Sequence, residues 1–181
     1  AKIEPQRWYY HCDKLGLIVW QDMVNGGGPY KLWFVTYLTN VFQPLLRRLP
    51  DARPLWGLLG RETEAGREEY ARELEATVKA LQCHPCVGCW VPFNEGWGQF
   101  DAAGAVEAVH RLDDTRLVDE ASGWYDQGGG DVDSLHNYFY PLRVRPRSRV
   151  VALSEYGGIA WPMPGHEPPR RAYGYGTAKS R

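Results

Sequence analysis

Two glutamates stand at the ends of apolar runs, each in company unusual for a carboxylate. "WVPFNEGWGQF" at 90–100 sets Glu95 between Phe93 and Trp97, and "VVALSEYGG" at 150–158 sets Glu155 before an aromatic and two glycines. A carboxylate at the end of an apolar strand is paired, binds a ligand or does chemistry, because burying it alone is costly. The bland alternative is a solvated turn residue, since glycine follows close behind each. Two carboxylates facing each other across a site are the working parts of glycoside hydrolysis. One, protonated, donates to the leaving oxygen; the other, ionised, attacks the anomeric carbon or activates water. Aromatic neighbours suit sugar rings, whose C–H faces stack on Trp and Tyr. The chain has 8 tryptophans and 11 tyrosines, most of the tryptophans reading more simply as core residues.

A second candidate chemistry lies in the cysteines. Cys83, Cys86 and Cys89 are spaced as C-x2-C-x2-C, with Cys12 as a potential fourth ligand for zinc or an iron–sulfur cluster. The context opposes this, because Cys86 and Cys89 fall in or beside the apolar run "CVGCWVPF", whose side chains alternate between faces. Free buried thiols are the expectation, with no metal and no cofactor, and thiols of that kind favour a reducing, cytoplasmic setting. "AKIEPQRWYY" lacks a basic region followed by an apolar core, and export stays open. No apolar run reaches the roughly 18 residues of a membrane span. A net charge of −1 offers no footprint for nucleic acid, and "RVRPRSR" at 143–149 reads as a solvated loop.

The elements that must position the glutamates emerge from patterning. At 181 residues, 44% hydrophobic and 24% charged, the chain is long enough for one domain with a core. Pro5 and Gly16 bracket a first helix, and "LGLIVWQDM" comes next as a strand buried on both faces. Residues 25–60 form a long excursion, helical in pieces. Tyr70, Leu74, Val78 and Leu81 recur at helical spacing until Pro85 stops them. "CVGCWVPFN" is a strand, a helix near 100–112 succeeds it, and "TRLVDEASGW", "DVDSLHNYF" and "SRVVALSEYGG" are three further strands. Strands alternating with helices, or with connections long enough to hold them, predict an α/β parallel sheet. Each strand carries polar or aromatic groups at its C-terminal end: Gln21 and Asp22, Asn94 and Glu95, Ser122 and Trp124, His136 and Tyr138, Ser154 and Glu155. That edge is where parallel α/β sheets bind ligands, so the five ends predict one shared site.

"WVPFNEGWG" and "ALSEYGG", with "RWYYHCDKLGLIVWQD" upstream, resemble the catalytic barrel of glycoside hydrolase family 2, the β-galactosidase, β-glucuronidase and β-mannosidase group. Three motifs in order carry this resemblance, over nearly the whole chain. It implies a single, incomplete (β/α)8 TIM-barrel domain across 1–181, holding roughly the third to seventh strands, with "AKIEP" as the tail of the second and "YGYGTAKSR" leading into the seventh helix. It implies a retaining double displacement on terminal β-glycosides, with Glu95 as acid/base and Glu155 as nucleophile. Asn94 would bind the sugar 2-hydroxyl, Tyr138 would stand beside the nucleophile, and Asp22, His136, Trp124 and Trp97 would line the sugar pocket. The glutamates should then lie about 5 Å apart. The family's small residue and His after Glu-Tyr are replaced by Gly157 and Gly158, which weakens a galactosidase-type metal site. The partner implied is a carbohydrate, neither nucleic acid nor membrane, and a homo-oligomer is open for a full-length form. The rival expectation is a carbohydrate-binding or structural fragment that keeps the residues without turnover.

Overall fold

The computed structural model describes residues 2–141, 143–161 and 174–178. It is mixed α/β, and its described strand pairs are parallel. Helix α1 (Gln6–Leu15) begins after Pro5 and closes at Gly16, whose left-handed φ of 67° lets the chain turn out of the helix. Strand β1 (Val19–Asp22) comes next. The excursion is a π-helical stretch, Trp33–Leu38, running into α2 (Thr39–Leu46) and then the single turn α3 (Arg53–Trp56). Helix α4 (Glu64–Leu81) is capped by the Thr63 hydroxyl, which accepts from Gly66 N, and buries the expected Tyr70, Leu74, Val78 and Leu81. Strand β2 (Val87–Val91), helix α5 (Ala102–Leu112) and β3 (Leu117–Val118) complete a sheet ordered β1–β2–β3. A second sheet pairs β4 (Val132–Asn137) with β5 (Val150–Tyr156), and a third pairs β6 (Ile159–Ala160) with β7 (Gly176–Thr177).

Tyr9, Leu74, Val78, Trp90, Phe93 and Val109 anchor the core between these helices and β2. A second cluster, Phe34, Val35, Leu59, Trp124 and Tyr125, ties the excursion to the segment after β3. That segment continues the ladder past the short β3: Asp119 N donates to Trp90 O at 2.9 Å, Phe93 N to Glu120 O at 3.1 Å and Glu95 N to Ser122 O at 2.8 Å. Side chains bridge β3 to β4, where Ser134 Oγ donates to Asp119 Oδ1 at 2.8 Å and accepts from Gly123 N at 2.9 Å.

Three expectations need correction, and a fourth falls outside the described residues. Strand β1 alternates instead of being buried on both faces: Val19 and Gln21 are buried, while Trp20 is 41% exposed. Residues 2–5 form no strand, although Lys2 O accepts from the Gln21 amide at 3.2 Å. Within "YGYGTAKSR", Gly176–Thr177 is the short strand β7, and the expected lead into a helix falls on residues 179–181, outside the described ones. "RVRPRSR" is only partly solvated, since Arg147 reaches the buried Asp133 at 2.8 Å and Arg149 pairs with the buried Asp126. No helix of the described residues is long and apolar enough to cross a membrane.

Candidate active site

Glu95 lies just past β2 in the tight turn Asn94–Gly96, with φ 54° and ψ 21°. Left-handed backbone is uncommon for a residue with a side chain, and it is held here by the bond from Glu95 N to Ser122 O. Gly96 is also left-handed, and a Cβ there would lie 2.2 Å from the Tyr125 ring. Glu155 is aimed by a different device. Leu135 pairs with Leu153 but His136 pairs with Glu155, so Ser154 is an extra residue, a β-bulge that re-aims the strand beyond it. His136, its side chain wholly buried, comes from β4 and packs on Gly123, where a Cβ would lie 2.0 Å from the imidazole.

These devices converge. The Tyr138 hydroxyl lies 2.9 Å from Glu95 Oε1 and hydrogen-bonds Glu155 Oε2. His136 Nδ1 lies 3.1 Å from Glu95 Oε1, while Nε2 lies 3.3 Å from Ser122 Oγ and 3.6 Å from Glu155 Oε1. A carboxylate oxygen of Glu95, one of Glu155 and a nitrogen of His136 all sit within 4.8 Å of one another. A cavity of about 450 Å³ opens beside them, lined by Asp22, Asn94, Ser122, His136 and Glu155 among others. Burial raises the Asp22 carboxyl above its ordinary range, and the charges of Glu155 and Glu95 add to this against the opposing pull of His136. Burial, then the bond to Glu155 and both carboxylate charges, push the Tyr138 hydroxyl well up, so it stays a proton donor. Behind the site, burial lifts Asp119 to about 6.

The spacing of Glu95, His136 and Glu155 would also seat a divalent cation. The cysteines sit apart from this group: Cys83 is exposed, Cys12, Cys86 and Cys89 are buried, and the Cys86 thiol faces Tyr9 O at 3.6 Å. Burial pushes the Cys86 thiol up to about 12, so it stays protonated.

Of the residues read from the sequence, Glu95, Glu155, Asn94, Asp22 and His136 thus border one site, with Tyr138 between the glutamates. Trp97 is half-buried and lines a neighbouring cavity with Glu95. Trp124 does not join them: it is 5% exposed in the second core cluster and lines neither cavity. Sequence reasoning missed Tyr175, whose ring stacks on Tyr138 at 4.5 Å and 24°. It also passed over Ser122 as a partner of His136, although its place at a strand end was a usable signal.

No known protein-family profile matches the chain. Over 101 residues it is 29% identical to β-mannosidase B of Thermothelomyces thermophilus, a span of 56% of this chain and 8% of that protein. Two crystal structures of β-glucuronidase from Parabacteroides merdae, the second with glycerol in the active site, match at 19% and 18% identity with TM-scores of 0.39 and 0.40. They cover 72% and 74% of this chain and 14% and 15% of theirs, superpositions too loose to place site residues. The chain is distantly similar to glycoside hydrolase family 2 enzymes over part of its length, a shorter span than its motifs suggested.

Proposed function

We propose that this chain holds the catalytic centre of a retaining, exo-acting β-glycosidase, its strands β1–β5 corresponding to the third to seventh of a (β/α)8 barrel. One observation carries the reading: a carboxylate oxygen of Glu95 and one of Glu155 lie within 4.8 Å of one another, Glu155 lining one cavity and Glu95 the neighbouring one. Retaining enzymes keep their carboxyls about 5–5.5 Å apart, whereas inverting ones need about 6.5–9.5 Å to admit water. The similarity to a β-mannosidase supports it independently.

The bonds of Tyr138 are compatible with the roles that the motifs imply. Tyr138 has one hydroxyl proton and two carboxyl neighbours. Given to Glu155, it leaves the phenolic oxygen free to accept from a protonated Glu95. Glu155 is then the ionised nucleophile and Glu95 the acid. Glu155 attacks the anomeric carbon as Glu95 protonates the leaving oxygen, and Glu95 then takes a proton from the water that releases the sugar. Asn94 contacts the sugar 2-hydroxyl, while Asp22 and His136 line the glycone pocket.

Azide tests this in the natural full-length protein. Glu95→Ala should accumulate the glycosyl-enzyme from activated aryl glycosides and be rescued by azide as the β-glycosyl azide. Glu155→Ala should give the α-product, because azide enters from the vacated face. Reversed stereochemistry would overturn the roles. A second reading, carbohydrate binding without turnover, draws on the 46% exposure of the Glu155 side chain. It is favoured if aryl glycosides bind but are not cleaved.

A further inference from the structure

We propose that the arginines of 143–149, with Arg47 from α2, build a binding site for a phosphate or sulfate group beside β4 and away from the paired glutamates. In "YFYPLRVRPRSR", residues 138–149, four arginines stand without one acidic residue among them. Arg143 and Arg147 line a cavity of about 260 Å³ together with Gln43, Arg47, Asn137 and Tyr140, among others. Side chains alternate along β4, so Asp133, Leu135 and Asn137 share the face opposite Ser134 and His136. The glycosidase reading draws on His136 and gives Asp133 and the arginines no part.

The side chains suit an oxyanion. Two of the three guanidiniums already hold one carboxylate between them: Arg47 pairs with Asp133 Oδ1, and Arg147 Nη1 donates to Asp133 Oδ2 at 2.8 Å. A guanidinium presents its N–H groups as a planar fork that matches carboxylate and phosphate oxygens, with five donors to share. Arg47 is fixed by a further bond from Nη2 to Ser134 O at 2.9 Å, yet its Nε is buried without an acceptor among the described residues. A buried donor left unpaired is costly, and an oxyanion seated against Arg47 would supply the acceptor. Asn137 Oδ1 accepts from Tyr140 N at 2.9 Å, which leaves the Asn137 amide NH2 as a donor. Asp133 offsets one of the three guanidinium charges, so the remainder suits a dianion better than a second carboxylate. Arg143 and Arg147 are exposed, and an ion can reach them from solvent.

Calorimetric titration of the natural full-length protein with inorganic phosphate, inorganic sulfate and phenyl phosphate tests the site, with chloride at matched ionic strength as reference. Saturable binding of phosphate or sulfate is expected, without saturation by chloride. Arg143→Gln should weaken it about tenfold or more, since hydrogen bonds from a charged group are lost. Arg143→Lys should recover part of the loss, keeping the charge without the fork. Arg145→Gln, in the same segment, should leave the affinity within about twofold. Tighter binding of phenyl phosphate than of the free ions would identify the group as one carried on a larger ligand, and the reverse order as a free ion; either supports the site. Equal losses in Arg143→Gln and Arg145→Gln would overturn it, because the attraction would then be that of a diffuse basic segment. Titrations in which phosphate, sulfate and chloride are indistinguishable would overturn it as well. Binding is read without turnover, so neither failure touches the glycosidase reading.

Discussion

Replacing Tyr138 with Phe removes one hydroxyl and both of its carboxyl contacts, to Glu95 at 2.9 Å and to Glu155, while the stack on Tyr175 can persist. The two half-reactions feel the loss differently. In the first, Glu155 surrenders charge as it attacks, so a donor on it stabilises the ground state at least as much as the transition state. In the second, the carboxylate departs and charge returns to its oxygens, and the donor then favours the transition state. A hydrogen bond to a charged group contributes roughly 1.5–3 kcal/mol. At 1.36 kcal/mol per tenfold, deglycosylation should slow about 10- to 150-fold, with glycosylation much less affected. On an activated aryl glycoside the variant should release a burst of aglycone equal to the enzyme present, with kcat and KM falling together and the adduct visible by mass spectrometry. A fall in kcat/KM as large as the fall in kcat, without a burst, would refute the reasoning.

Asp119, raised to about 6 from an ordinary 3.8, holds more protons folded than unfolded between those values. Stability from this group is therefore present at pH 4 and lost as pH rises through 6, by about 3 kcal/mol. Urea midpoints of wild type and Asp119→Asn should diverge over that range, and parallel curves would discard the assignment. Gly123→Ala should destabilise by about 1–3 kcal/mol in thermal unfolding, since the new methyl meets the His136 ring at φ 83°. Its residual activity should fall more than its folded fraction does. Chelators should leave turnover intact; loss on EDTA treatment with recovery on adding Mg²⁺ would mean that Glu95, His136 and Glu155 hold an ion instead of a sugar.

Much of the frame was legible in the chain. Helices α4 and α5 declare themselves because their apolar residues repeat at helical spacing against charged faces. Glu95 and Glu155 stood out because a carboxylate closing an apolar run has few cheap explanations. The features that stayed hidden depend on contacts between distant segments. Trp124 sits two residues after Ser122, at the end where ligands bind, but Phe34 and Val35 from the excursion bury it. Tyr175 reaches Tyr138 only through the pairing of β6 with β7, and nothing local in "YGYGT" announces a two-residue strand. The arginines of 143–149 looked solvated because their partners, Asp126 and Asp133, lie in other segments and read as loop and strand residues.

The site's three central side chains are each aimed by a departure from regular structure, and convergence on one point demands those departures. A regular strand sends successive residues to opposite faces, so a residue beyond its end faces inward only by chance of parity. Glu95 faces the cavity through a left-handed turn, a conformation costing roughly 1–3 kcal/mol. The ladder bond to Ser122 O and the bonds from Tyr138 and His136 help offset that cost. Glu155 arrives through the extra Ser154, which shifts it into register with His136. His136 can lie between them only because Gly123 has no side chain to block the ring. Each irregularity is tolerable because its neighbours fix it, and each would be idle without the other two. Three different departures from regular structure, drawn from two sheets and gathered around two carboxyls, are the kind of local irregularity that the proposed reaction would call for.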